Sequence, residues 1–254
     1  MSSLQHFGDR KSVRQKLLCM TGKNLEECLR DMKEYNIKIG AAFLLVIAYF
    51  GIMLFYTFLD VVVWRKVFPD FSNIINIITI AICICVFIVF LKRSTGYQTQ
   101  LLSNINFTGV ILAIGCTVLF FLLLDKCLDP ILESIFPQSE QDYQEMIQSL
   151  IKSPVTSLIQ VCVLAPIIEE ILMRGVVLGG LKKSYGCVTA LLISATLFAF
   201  LHFNMVQTLS AFVCGIVLGL LYIKTSSVFC CMIAHCGYNL ISYIVMIYPY
   251  IEQK

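Results

Sequence analysis

Three short stretches of this 254-residue chain set ionisable and amide side chains inside otherwise apolar runs: Glu169-Glu170 with Arg174, Phe198 with His202, and His235 with Asn239. Glu170 and Arg174 are four residues apart, so they share a helix face and suit a structural ion pair. Glu169 lies about 100° round the same helix and is left without that partner, free to act on something else. Phe198 and His202 are also spaced i, i+4, as are His235 and Asn239, and each pair shares one face. A carboxylate in apolar surroundings can take a proton from water, and an imidazole beside it can orient that water or relay the proton. A second imidazole and an amide NH2 are donors suited to an oxyanion developing on an attacked carbonyl. The set Glu169, His202, His235 and Asn239 therefore suits hydrolysis of an amide bond, with Glu170, Arg174 and Phe198 in support. Glu169, His202 and His235 could equally hold Zn2+ with a fourth position open to water, and spacing does not choose between a metal and none.

These groups are costly where they stand. An ionisable residue at the centre of a membrane helix costs about 2.5–3.5 kcal/mol on insertion scales, and three fall within six residues here. Singly, an intramembrane His or Asn serves as interhelical glue. At about 1.5 Å per helical residue from the nearest polar turns, Glu169 lies about 16 Å deep, His202 about 22 Å, His235 about 12 Å and Asn239 about 18 Å. Packing alone does not require a carboxylate and two imidazoles at one depth. His6, in the N-terminal tail, carries no role.

The elements that must position them are membrane helices. The chain is 58% hydrophobic and only 14% charged, against about 25% charged in soluble domains. Its net charge of +3 excludes the strongly basic face of a nucleic-acid binder. Runs of the length a span needs fall at 39–60, 74–91, 108–125, 155–180, 188–204, 207–223 and 227–248. The expected fold is an all-α, polytopic bundle of seven transmembrane helices, or eight if a half-length span is present. A cytoplasmic N-terminal segment, 1–36, precedes a single transmembrane domain, 37–254, whose chemistry-bearing core runs from about 150 to 248. No cleaved signal peptide is expected, because the first apolar run begins only near Ile37. The mixed acidic and apolar segment from Ile131 to Ser153 reads as an interfacial helix, a cover for the mouth of the site or a contact for a partner. Most Lys and Arg fall on segments that share a side with the N-terminus, which places that terminus in the cytoplasm. Of the twelve cysteines, Cys83, Cys85, Cys116, Cys162, Cys214 and Cys236 sit in apolar runs, and the set has no framework spacing and reads as packing residues. A polar cavity open to the cytoplasm and walled by spans four to seven is expected to bring water to the site.

In order on successive spans, Glu169-Glu170-x-x-x-Arg174, Phe198-x-x-x-His202 and His235-x-x-x-Asn239 resemble the signature of the CAAX protease and bacteriocin-processing family, also called the Abi family. The resemblance runs from Pro166 to Asn239. It implies an intramembrane endopeptidase, in which the matches to Glu169 and His202 activate water and those to His235 and Asn239 form the oxyanion site. It also implies a hydrophobic or lipidated peptide or protein substrate: a prenylated CAAX tail, a pheromone or a bacteriocin leader. The family has been described both as zinc-dependent and as metal-independent, so Zn2+ stays open as a cofactor. A bacterial plasma membrane is the expected location, with membrane lipid and no nucleic acid among the partners. No HExxH, GxSG or GxGD motif points to the other intramembrane proteases. A proton-coupled transporter would show two similar halves, whereas here the polar residues crowd one half. A non-proteolytic immunity or partner protein is the alternative function.

Overall fold

The computed structural model of the chain describes residues 36–98, 101–202 and 204–251, with the side chains of 140, 142, 149 and 249–251 excepted. The N-terminal segment up to Tyr35, with His6 and its basic residues, lies outside the described residues, as does the C-terminal 252–254. No strand occurs among the described residues, and all of them belong to one compact unit, Asn36–Lys254.

Helix α1 (Ile39–Val67), α2 (Ser72–Thr95) and α3 (Phe107–Ile135) come first. Their outer faces are apolar and exposed, with Leu44, Phe55, Ile74 and Val86 each more than half accessible. Lipid is the solvent that makes such faces favourable. Helix α2 stops at Gly96, whose φ of 72° a side chain would resist. Helix α3 starts where the Asn106 side chain accepts from the Gly109 amide at 2.7 Å. It runs well past the expected end near residue 125, and its last residues are the first five of the expected interfacial segment. That segment begins anew at Pro137, because proline cannot give the bond that would prolong α3. It forms α4 (Pro137–Ile151).

Helix α5 (residues 154–178) is continuous but not regular: π-helical stretches at Gln160–Leu164 and Ile171–Leu178 flank Ala165–Glu170. Pro166 accounts for the first, since its ring displaces the preceding turn and it has no N–H for the ladder. Helix α6 (Gly179–Ala199) follows directly and is broken at Gly186, where φ is 77° and ψ is 166°. That single residue makes the turn expected between the fourth and fifth spans. Helices α7 (Met205–Thr225) and α8 (Val228–Ile251) complete the fold. Asn204 caps α7, its side chain accepting from Val206 and Gln207 amides.

Five described helices, α1, α2, α3, α7 and α8, are long and apolar enough to cross a membrane. The segments 155–180 and 188–204 are helical but are not among the five. They hold the charged residues and the sharp turn at Gly186, and every residue of Ile171–Leu178 is buried against neighbouring helices. The expected span 188–204 also ends early. After Ala199 the chain closes with shorter bonds, Leu201 N to Phe198 O at 3.1 Å and His202 N to Ala199 O at 3.0 Å, before Asn204 starts α7. Helices α6 and α7 approach closely at Gly215, where a Cβ would lie 3.0 Å from the Ala195 Cα. The described cysteines are free thiols.

Candidate active site

Helix α5 presents Glu169, Glu170 and Arg174, all buried. Arg174 Nη1 donates to Glu170 Oε1 at 2.8 Å, and Nη2 donates to the Gly215 carbonyl at 3.3 Å. The guanidinium also lies 4.7 Å over the Phe198 ring, so α5 is fastened to both α6 and α7 by one side chain. Phe198 in turn meets His202 and His235 edge to face, at 5.3 and 5.7 Å between ring centroids. It packs against both imidazoles and the Arg174 guanidinium at once.

His235 on α8 brings Nδ1 to 2.9 Å from Glu170 Oε1 and leaves Nε2 3.9 Å from Glu169 Oε2. One oxygen of Glu170 thus serves Arg174 and His235 together, while Oε2 of Glu170 and Nε of Arg174 have no hydrogen-bond partner among the described residues. Since a carboxylate accepts, Nδ1 of His235 carries a proton and Nε2 is turned towards Glu169. His202 sits in the turn after α6 rather than on the helix, yet its Nδ1 is 3.2 Å from the Phe198 carbonyl. A carbonyl only accepts, so Nδ1 donates and Nε2 of the neutral ring is left as a proton acceptor.

Asn239 is held by an irregularity in α5. Its Nδ2 donates to the Val161 carbonyl at 2.9 Å. In a regular helix that carbonyl would take the Ala165 amide, but Ala165 donates to Gln160 O, and the next amide would be that of Pro166, which has none. Pro166 thereby frees a carbonyl, and Asn239 takes it, which sets the amide plane.

Glu169, His202, His235 and Asn239 line one cavity of about 870 Å³. Residues of the four expected spans line it, and α1 to α4 contribute to its walls as well. Tyr49 and Tyr56 of α1, Ile80 and Phe87 of α2, and Tyr143 and Ile147 of α4 are among the lining residues. Helix α4 is tied down by Asn204, whose side chain donates to the Ser139 carbonyl, and Tyr143 Oη donates to Met246 Sδ at 3.5 Å.

Two lining carboxylates, Asp125 and Asp129, were not singled out in the sequence. Asp125 accepts from Tyr238 at 2.8 Å and from Ser242 at 2.6 Å, and Asp129 accepts from Ser210. They fasten α3 to α8 and α7. Their signal was present as Asp125, Asp129 and Glu133 at successive i, i+4 steps on one face of α3.

As for Zn2+, no group of three or more His, Cys, Asp or Glu side chains among the described residues is placed to hold a metal ion. His235 Nδ1 is engaged by Glu170, which leaves Nε2 as the nitrogen that faces Glu169.

A helical chain with long apolar helices whose outer faces are exposed is an integral membrane protein, and this one carries a carboxylate and imidazole cluster on a cavity. Residues 151–241 match the family model described as Rce1-like: Type II CAAX prenyl endopeptidase Rce1-like. The match runs from the end of α4 into α8 and includes all seven residues singled out above. No curated protein and no solved structure matches the chain.

Proposed function

We propose that the protein is an intramembrane endopeptidase that hydrolyses a peptide bond of a hydrophobic or lipidated substrate, of the prenylated CAAX type or a pheromone or bacteriocin leader. The observation that carries this reading is that Glu169, His202, His235 and Asn239, from separate elements of the family-matched stretch, line one cavity.

Glu169 takes a proton from a water that His202 Nε2 orients, and the water oxygen attacks the scissile carbonyl carbon. The carbonyl oxygen becomes an oxyanion beside His235 and Asn239. A proton on His235 Nε2 makes that ring a charged donor, with Glu170 as its counter-ion across Nδ1. Glu169 then returns its proton to the leaving nitrogen as the C–N bond breaks, giving an amine and a carboxylic acid that loses its proton to solvent. No step runs through a metal. We place the start of α1 on the cytoplasmic side, because Lys92, Arg93, Lys182, Lys183 and Lys224 gather at the helix ends on that side.

The test is cleavage of a prenylated CAAX peptide and a hydrophobic leader peptide by the purified protein and by Glu169→Ala in detergent, with and without a strong zinc chelator. Cleavage that Glu169→Ala abolishes and the chelator spares is the expected result. Loss with chelator as well assigns a metal. No cleavage of either peptide by folded protein moves the assignment to a non-proteolytic membrane partner.

A further inference from the structure

The proposed oxyanion side keeps two donors, His235 Nε2 and the second N–H of Asn239. One N–H of Asn239 is spent on the Val161 carbonyl, and Nδ1 of His235 is spent on Glu170. Across the cavity stands a donor with nothing to donate to. Tyr49 of α1 is only 4% exposed and lines the cavity, and its hydroxyl has no hydrogen-bond partner among the described residues. A phenol buried to that degree normally finds a partner.

The register of α1 sets its height. The Ile37 amide meets the Gly180 carbonyl at 3.5 Å, which pins the start of α1 beside the end of α5. Glu169 lies eleven residues back from Gly180 and Tyr49 twelve residues on from Ile37, so the two come at similar residue counts from that contact on antiparallel helices, and both line the cavity. The Tyr49 ring is held by stacking on Phe87 at 5.6 Å, so the hydroxyl is aimed by packing and not by a competing bond. Tyr56, on the same face seven residues further along, also lines the cavity but stands about 10 Å higher.

We infer that Tyr49 is a further catalytic residue, whose hydroxyl donates a hydrogen bond to the carbonyl oxygen of the scissile peptide as charge develops on it. This rests on the endopeptidase reading above and adds to it a donor from outside the family-matched stretch. The attack by water converts the carbonyl to an oxyanion without any proton leaving Tyr49, and the bond to the phenol shortens and strengthens as the charge grows.

The experiment is steady-state cleavage by the full-length protein, its Tyr49→Phe and Tyr56→Phe variants and Glu169→Ala, with thermal unfolding of each. Phenylalanine keeps the ring stack on Phe87. Tyr49→Phe is expected to lower kcat by about a hundredfold with KM within twofold, and Tyr56→Phe to leave kcat within threefold. A rise in KM with unchanged kcat, no change at all, or an equal fall in kcat for both phenylalanine variants overturns the assignment of Tyr49 while cleavage by the wild type, abolished by Glu169→Ala, upholds the endopeptidase. No cleavage by the wild type overturns both.

Discussion

Glu170 accepts from Arg174 and meets His235 Nδ1 at the same oxygen, at 2.8 and 2.9 Å, although 65 residues separate it from His235. The ion pair that holds α5 in the bundle is therefore also the group that orients an imidazole of the site. Stability and ring orientation share one carboxylate, and its removal touches both.

Glu170→Ala leaves the Arg174 guanidinium buried with only the Gly215 carbonyl for a hydrogen bond. It is expected to lower stability by about 3–5 kcal/mol, measured by denaturant titration in detergent. The double variant Glu170→Leu with Arg174→Met removes both charges and is expected to recover most of that stability. Cleavage stays absent in the double variant, because His235 has lost the acceptor for Nδ1.

Glu169 carries no such structural duty. It has no partner as close as that of Glu170, its nearest being His235 Nε2 at 3.9 Å. Glu169→Gln keeps the volume and is expected to unfold within a few degrees of the wild type while cleavage falls by about 10²–10⁴-fold. A comparable loss of thermal stability would show that the carboxylate is structural.

Pro166 acts at a distance from the site through a backbone carbonyl. Pro166→Ala supplies an amide that competes for the Val161 carbonyl and favours a regular turn in α5. The expected outcome is a chain at least as stable as the wild type by thermal unfolding, with kcat reduced about tenfold because Asn239 loses the bond that sets its amide plane. Asn239→Ala, measured in parallel, is expected to cost more.

Asp125 holds two hydroxyls of α8 at once. Asp125→Ala is expected to cost about 1.5–3 kcal/mol of stability for each charged-acceptor bond lost. A double-mutant cycle with Tyr238→Phe isolates one of the two, and a coupling below about 0.5 kcal/mol would remove the fastening role.

Much of this protein follows from local order along the chain. Apolar runs in a 58% hydrophobic sequence must be helices in lipid, since no other element satisfies its own backbone there. Spacings of four place Glu170 with Arg174 and Asn239 with His235, and a carboxylate and imidazoles in apolar runs mark where chemistry is sought. These are properties of a 3.6-residue turn and of desolvation, which short sequence carries. Other features depend on which helices pack together. The bond from His235 to Glu170, the bond from Asn239 to Val161 across 78 residues, and the entry of Tyr49 and Asp125 into the cavity wall all join positions far apart in the chain. Even His202 leaves its helix because Asn204 begins the next one. Helix periodicity specifies a face but not the neighbour that meets it, and the neighbour is chosen by close packing, as where Gly215, with no side chain, admits the Ala195 backbone.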